Sequence, residues 1–171
     1  MPPELHIDPS QLDLSRVLAG RNEIERVNPQ RFEMEQLTAI VHMDTEQNLI
    51  AGYKEVTEDE FWVRGHMPDY PLMPGVLMCE AAAQLCSYYI MVNGLMQGDF
   101  LGFGGMENVR FRGPVRPGDR LVLIGKGIKM HRRQCIFNVQ GFVGPTMVFH
   151  ADIIGVPLVR RAGEAAVAEE S

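Results

Sequence analysis

The sequence predicts an α+β fold in which an antiparallel sheet wraps around one long central helix. The stretch from Pro74 to about Gly94 is apolar nearly all round, with proline at its start and glycine near its end, as is typical of a buried helix. Segments with the patterning and turn residues of antiparallel strands lie on both sides of it. Because such a helix must be covered, a single buried helix between strand pairs predicts a sheet folded around it.

The strands are predicted from apolar runs that turn residues separate. Residues 35–43 and 49–56 flank a turn at 44–48 and are typical of a hairpin. Turn residues also interrupt the chain after the helix, and the later strands are predicted at about 100–112, 119–131, 133–144 and 146–159. A helical stripe of apolar residues predicts a short helix at about 10–27, and a good cap predicts one helical turn at 57–62.

The chain of 171 residues has the size of one domain. Residues 1–30 are polar and rich in proline, and we interpret them as an N-terminal extension that holds the short helix. The main domain is predicted at residues 31–159. Residues 160–171 are predicted to form a flexible C-terminal tail.

The composition favours a cytoplasmic protein that binds no nucleic acid. Its formal net charge is -6, whereas a nucleic-acid partner calls for a basic surface. The N-terminal residues lack the basic and apolar regions of a secretory signal. Glu80 and Gln84 interrupt the longest apolar run, so no membrane insertion is expected. The three cysteines have no CxxC spacing, and we expect them to be reduced apolar fillers.

Residues 64–84 hold the candidate catalytic groups. His66 precedes a loop with three prolines and offers a base that is neutral near pH 7, as proton removal beside a carbonyl requires. Glu80 lies among apolar helix neighbours, which favour the protonated form that a proton donor needs. The structural alternatives are a surface or core histidine and a buried glutamate that is paired with an arginine.

The start of the central helix offers a site for a developing negative charge. Pro74 at the first helical position leaves the next backbone amides unpaired, and Gly75 lets a carbonyl oxygen approach closely. The helix dipole favours an anion at this place. One turn beyond Glu80, Gln84 could orient the carboxyl group, or it could be an ordinary polar helix residue.

Half of the 16 basic residues lie between Arg110 and Arg133, in an otherwise acidic chain. This stretch could dock an acidic carrier or a phosphate, and the alternative is the solvated face of strands. The candidate docking residues are Arg110, Arg112, Arg116, Lys126, Lys129, Arg132 and Arg133. The histidines show no ligand spacing and no phosphate-binding glycine loop is present, so neither a metal nor a cofactor is expected.

Two segments resemble the hot-dog 3-hydroxyacyl-[acyl-carrier-protein] dehydratases of fatty-acid synthesis, over about residues 24–159. Their signature, roughly G-H-F-P-G-x-P-x-M-P-G-V-x-x-x-E-A-x-A-Q, is matched in register by Gly65, His66, Pro68, Pro71, Met73, Pro74, Gly75, Val76, Glu80, Ala81, Ala83 and Gln84. Residues 108–119 resemble the second recurrent segment of the family, a strand followed by a P-V-x-P-G-D turn.

The resemblance implies a hot-dog domain at residues 31–159 and a homodimer as the minimal unit, with sites at the dimer interface. In such a site His66 of one subunit works as the base opposite Glu80 of the other, and the Gly75 amide binds the thioester oxygen. The implied partner is an acyl carrier protein, which presents the acyl chain on its phosphopantetheine arm. The implied reaction is dehydration to a trans-2-enoyl thioester.

Three residues beside His66 depart from the family pattern. Met67 stands where phenylalanine is usual, and Asp69 and Tyr70 replace a glycine and a small, polar or histidine residue. Glu80 stands where the related isomerising branch has aspartate, which favours the branch that only dehydrates. The alternative functions are a hot-dog acyl-thioesterase and a non-catalytic acyl-binding subunit.

Overall fold

A computed structural model describes residues 3–161 of the chain as a six-stranded antiparallel sheet around one long helix. The two α-helices are α1 (Arg21–Glu25) and α2 (Gly75–Val92). The strands are β1 (Ala39–Asp44), β2 (Leu49–Glu55), β3 (Phe100–Phe111), β4 (Arg120–His131), β5 (Gln134–Val143) and β6 (Thr146–Leu158). The predicted α+β class is confirmed, and the four strands after α2 lie within two residues of their predicted bounds.

The strand order across the sheet is β1-β2-β4-β5-β6-β3. The hairpins β1–β2, β4–β5 and β5–β6 join neighbours in the chain. Strand β2 pairs directly with β4, although α2 and β3 separate the two in sequence. Strand β3 pairs only with β6 and forms one edge of the sheet. A strand that is twelve residues long therefore presents one unpaired backbone edge among the described residues.

Helix α2 packs on the concave face of the sheet. It is long and apolar enough by length and composition to cross a membrane, but 67% of that 18-residue stretch is buried inside the fold, as in a core helix. The helix approaches β2 closely at Gly52. A Cβ atom there would lie 2.6 Å from the backbone oxygen of Ala39 and 3.1 Å from Leu85 Cδ1. The missing side chain at Gly52 thus permits the close approach of the β1 backbone at Ala39 and of the Leu85 side chain from α2.

The N-terminal segment covers the opposite, convex face. Leu12 packs there in a cluster that includes Tyr53 and Phe142, and His6 Nε2 lies 2.8 Å from Asn138 Oδ1 on β5. The sheet therefore has apolar contacts on both faces, and its central strands are buried from both sides.

The predicted helix at about 10–27 is wrong in extent. The structure has a 3₁₀ turn at Pro9–Gln11 and helix only at Arg21–Glu25. Leu12 is buried on the convex face, whereas Ile24 joins the concave core, so the apolar stripe is not one helix face. The helix begins only after Gly20, whose backbone amide donates to Glu23 Oε2 over 3.0 Å.

Three smaller expectations are also corrected or lie outside the description. Strand β1 begins at Ala39 and not at residue 35, and the backbone amide of Gln36 donates to the side chain of Gln84 instead of to a strand. Residues 57–62 form turns without a helix. Residues 162–171 of the predicted tail lie outside the described residues.

Gly52→Ala should lower the free energy of unfolding by about 1–3 kcal/mol, because its new methyl group meets rigid backbone. The matched control is Gly125→Ala on the adjacent strand β4, whose Cβ would meet Ile50 Cγ2 at 3.3 Å and Leu85 Cδ2 at 3.5 Å. This control should change stability by less than about 1 kcal/mol. Urea unfolding measures both variants, and equal losses would contradict a specific contact at Gly52.

Candidate active site

The His66 ring is held by a backbone carbonyl. Its Nδ1 atom lies 2.8 Å from the oxygen of Leu72, and its backbone amide donates to the oxygen of Trp62 over 2.7 Å. A carbonyl oxygen only accepts, so Nδ1 carries the proton of the neutral ring and Nε2 keeps its lone pair. The half-buried His66 is therefore held in the tautomer that a base acting through Nε2 requires.

The loop that follows His66 is closed and tied to a distant turn. The Leu72 amide donates back to the His66 oxygen over 2.9 Å, and the Met73 amide donates to Val115 over 2.8 Å. The guanidinium of Arg116 donates to the Tyr70 hydroxyl and lies 4.9 Å from the centre of its ring. Both of these links join the loop to the turn at residues 114–119, which ends the second segment that resembles the family.

Glu80 is half-buried on α2, and Gln84 fixes one of its carboxyl oxygens. Gln84 Nε2 donates to Glu80 Oε1 over 2.8 Å and to the backbone oxygen of Met34 over 2.6 Å. Gln84 Oε1 accepts from the Gln36 amide over 2.9 Å. With 2% of its surface exposed, Gln84 has its amide group bonded at both ends, and it holds the Glu80 carboxyl in place.

Gly75 begins α2, so Pro74 occupies the N-cap position and not the first helical position that the sequence predicted. A Cβ atom on Gly75 would lie 2.7 Å from the Phe111 ring of β3, so this position accepts no side chain without a shift of that ring. The first amides of a helix have no acceptor inside it, and here the Leu77 amide is the first to bond back, to Pro74 over 2.9 Å. The Gly75 amide thus marks a helix start that can stabilise a negative charge.

A cavity of about 40 Å³ lies beside Glu80, between α2, β3 and β6. Gln30, Ala83 and Ser87 line it together with Glu80, and His66 does not. Within one chain, the proposed acid therefore lies at this cavity, whereas the proposed base lies on the loop before α2. Gln30, Ser87 and the Tyr70–Arg116 pair were not predicted as a group, because their contacts depend on tertiary packing and not on sequence spacing.

The seven candidate docking residues do not form one patch. Strand β6 measures how far apart the basic residues lie. Arg110 pairs with its residue His150. The β4–β5 hairpin, represented by Cys135, pairs with Gly155, which is about 17 Å farther along β6. One group, near His150, consists of Arg110, Arg112 and Arg116. The other group, at or beyond the hairpin end, consists of Lys129, Arg132 and Arg133. Lys126 lies between the two groups, opposite Asn138. Of the seven, Arg116 donates a hydrogen bond to the loop that follows His66, at Tyr70.

The three cysteines are buried free thiols. Burial raises the pKa of the Cys79 and Cys135 thiols to about 11 and raises that of Cys86 well above its usual range. A thiolate nucleophile is therefore not available at neutral pH from any of them. Among residues 3–161, no cluster of three histidine, cysteine or acidic side chains has the geometry of a metal site.

An antiparallel sheet wrapped around one long helix is the hot-dog fold. The family model described as "FabA-like domain" matches residues 28–152. The chain is 38% identical over 110 residues to the 3-hydroxyacyl-[acyl-carrier-protein] dehydratase FabZ of Clostridium beijerinckii, and the match covers 64% of this chain and 78% of that protein. The chain belongs to the FabA-like domain family.

Solved structures with the same fold have diverged far in sequence. The dehydratase heterocomplex ApeI:P from Xenorhabdus doucetiae aligns with a TM-score of 0.64 and 13% identity, over 78% of this chain and 90% of that one. A sigma28-regulated virulence protein from Campylobacter jejuni aligns with a TM-score of 0.61 and 20% identity, over 82% and 93%. They confirm the hot-dog fold of this chain.

The His150 side chain should make the folded state sensitive to acid. Burial, followed by the charges of Arg112 and Arg110, lowers the pKa of His150 from its ordinary value of 6.5, although Asp152 opposes the shift. Below 6.5 the unfolded chain binds a proton at His150 more readily than the folded chain does, so stability falls as pH falls. His150→Gln should flatten the dependence of the melting temperature on pH below this value.

Arg112→Ala should also flatten the dependence of the melting temperature on pH. The reason is that the charge of Arg112 helps to lower the pKa of His150, and its Nε atom donates to His150 Nδ1 over 3.2 Å. Thermal unfolding across a pH series measures both variants. Wild-type pH dependence in both would show that His150 does not contribute to acid sensitivity.

Proposed function

We propose that the protein is a hydro-lyase that dehydrates 3-hydroxyacyl thioesters to trans-2-enoyl thioesters in fatty-acid synthesis. The observation that carries the proposal is the hydrogen bond between His66 Nδ1 and the Leu72 oxygen, which reserves Nε2 for proton removal. The family and the identity to FabZ support the same reaction.

The reaction follows from three groups. His66 Nε2 takes the proton from C2, and the C2–H electron pair becomes the C2–C3 double bond as the C3–O bond breaks. The Gly75 amide, at the positive end of α2, stabilises the negative charge that develops on the thioester oxygen. Glu80, positioned by Gln84, gives its proton to the departing hydroxyl group, which leaves as water.

The active unit in this proposal is a homodimer. Strand β3 is an edge, and its exposed apolar side chains include Phe103, Met106 and Phe111. Long exposed apolar edges favour pairing with another chain. A second copy of β3 would cover this edge. It would also bring His66 of one subunit to Glu80 of the other, whereas within one chain His66 does not line the cavity of Glu80.

The proposed substrate is the acyl chain on the phosphopantetheine arm of an acyl carrier protein in the cytoplasm. The dehydratase FabZ that this chain resembles is named for that carrier. Arg116 is the proposed contact nearest the base, since its partner Tyr70 lies in the loop that follows His66. The free, buried cysteines are compatible with a reducing compartment.

Purified protein should convert a 3-hydroxyacyl thioester to its enoyl product, which absorbance follows. His66→Ala should lower turnover by roughly 10²–10⁴, the usual contribution of a general base. Glu80→Gln should abolish turnover, because an amide does not donate the required proton.

Equal amounts of the two inactive variants are then mixed so that subunits exchange. The mixture should regain about a quarter of wild-type activity, because about half of the dimers then hold one intact site.

Circular dichroism and native mass spectrometry are the controls for folding and exchange. Near-normal turnover by folded His66→Ala would remove this residue from the mechanism. Release of free thiol without enoyl product would identify a thioesterase instead. Confirmed exchange without activity would show that no active site is shared between subunits.

Charge reversal should separate the two basic groups. Arg116→Glu should raise KM for the carrier-linked substrate about tenfold or more, with little change for the same acyl chain on free pantetheine, because only the carrier surface is acidic. The matched control is Arg132→Glu at the distant hairpin, where the same charge change should leave both KM values near wild type. Equal effects of the two variants would place carrier docking elsewhere or make it a matter of net charge.

A further inference from the structure

The segment that carries the proposed base, residues 57–72, contains neither helix nor strand. Its two ends are bonded to the same turn. The Val56 amide donates to the oxygen of Asp119 over 2.9 Å, and the Met73 amide donates to the oxygen of Val115 over 2.8 Å. Ordering so long an irregular segment costs conformational entropy at every residue, so contacts are needed between its ends as well.

One contact between the ends is a buried ion pair. Lys54 Nζ on β2 lies 2.7 Å from Glu60 Oε1, and only 6% and 11% of the two side chains are exposed. Solvent ions screen so enclosed a pair much less than they screen a surface pair. The neighbouring pair of Glu55 with Arg120 joins β2 to β4, and its side chains are 38% and 42% exposed. Lys54 therefore ties the segment to the sheet by an interaction that is shielded from solvent.

Short-range backbone bonds connect Glu60 to His66. The Val63 amide donates to the Glu60 oxygen over 3.0 Å, and the His66 amide donates to the Trp62 oxygen over 2.7 Å. The Trp62 side chain is 4% exposed and belongs to the concave core. A displacement of Glu60 is therefore transmitted through consecutive turns to the backbone of His66.

A core does not need a buried ion pair for its stability, because well-packed apolar residues of similar volume often stabilise it equally well. The pair adds a charge-assisted hydrogen bond of fixed length and direction. We propose that Lys54 and Glu60 are positioning residues, whose ion pair fixes the place of the His66 base relative to the substrate. This inference rests on the proposed function. A shift of about 1 Å at a reacting group can lower a rate about 100-fold, so a tie of this kind controls turnover from a distance.

Glu60→Asp tests the tie because it keeps both charges but shortens the acidic side chain by one methylene, about 1.5 Å. It should lower kcat for a 3-hydroxyacyl thioester about tenfold and change KM less than about twofold, since the substrate contacts are unchanged. In the His66→Ala background the same change should cost less than about twofold, because no base is left to misplace. The matched control is Glu55→Asp, which shortens the acid of the exposed neighbouring pair and should keep the wild-type kcat.

The double variant Lys54→Met with Glu60→Met separates positioning from stability. It leaves no charge unpaired, so its melting temperature should stay near that of the wild type, whereas its kcat should stay low because no directed bond remains. Wild-type kcat in this variant, or equal losses from Glu60→Asp with and without His66, would overturn the proposal. Kinetics are recorded below each melting transition, and Glu60→Asp decides alone if the double variant does not fold.

Amide hydrogen exchange tests the tie without turnover. In Glu60→Asp the amides of Val63 and His66 should exchange about tenfold faster, while the amides that pair β4 with β5 should keep their wild-type rates. Unchanged exchange at Val63 and His66 would show that the ion pair does not hold this turn. A wild-type protein that does not dehydrate the substrate would refute the proposed function, and the exchange rates would still decide whether the pair holds the turn.

Discussion

The fold depends on a polar face within an apolar helix. Gln84 lies in the buried middle of α2, where its amide group must be paired. The backbone of the preceding segment supplies the partners, at Met34 and Gln36, while Asn28 Nδ2 donates to the backbone oxygen of Gln84 over 2.9 Å. These bonds fix residues 28–36 along the helix. The same amide donates to Glu80, so the interaction that closes the core also positions the proposed acid.

The proposed base is positioned by a separate and local device. His66 is bonded to Leu72 across a short closed loop, which Val115 anchors through Met73. The proposed base thus belongs to a loop at the start of α2, and the proposed acid belongs to the interior of that helix. This separation gives the unpaired edge of β3 a functional meaning in the proposed dimer, since a second chain would complete each site.

The sequence predicted those parts of the fold and site that local patterning determines. Helix α2 and the strands that follow it have periodicity and turn residues at their own positions. The motif proposes His66, Gly75, Glu80 and Gln84, whose catalytic roles stay predictions. The error at residues 10–27 arose because apolar residues on two faces of a sheet can imitate one helical stripe. The scatter of the basic residues and the place of Ser87 and Gln30 beside Glu80 followed from strand register and packing, which spacing does not contain.

Two of the three departures from the family pattern next to His66, Met67 and Tyr70, are exposed side chains. The ring of His66 is held by a backbone oxygen, which every residue at position 72 supplies, so this bond does not depend on which side chains stand at 67 and 70. Asp69 differs from them, because its φ of 64° lies in the left-handed region that favours glycine. Met67 is 50% exposed and Tyr70 is 55% exposed, and Arg116 holds Tyr70 against the neighbouring turn. Variation at Met67 and Tyr70 therefore changes the exposed surface beside His66, while the backbone oxygen that holds the ring remains in place.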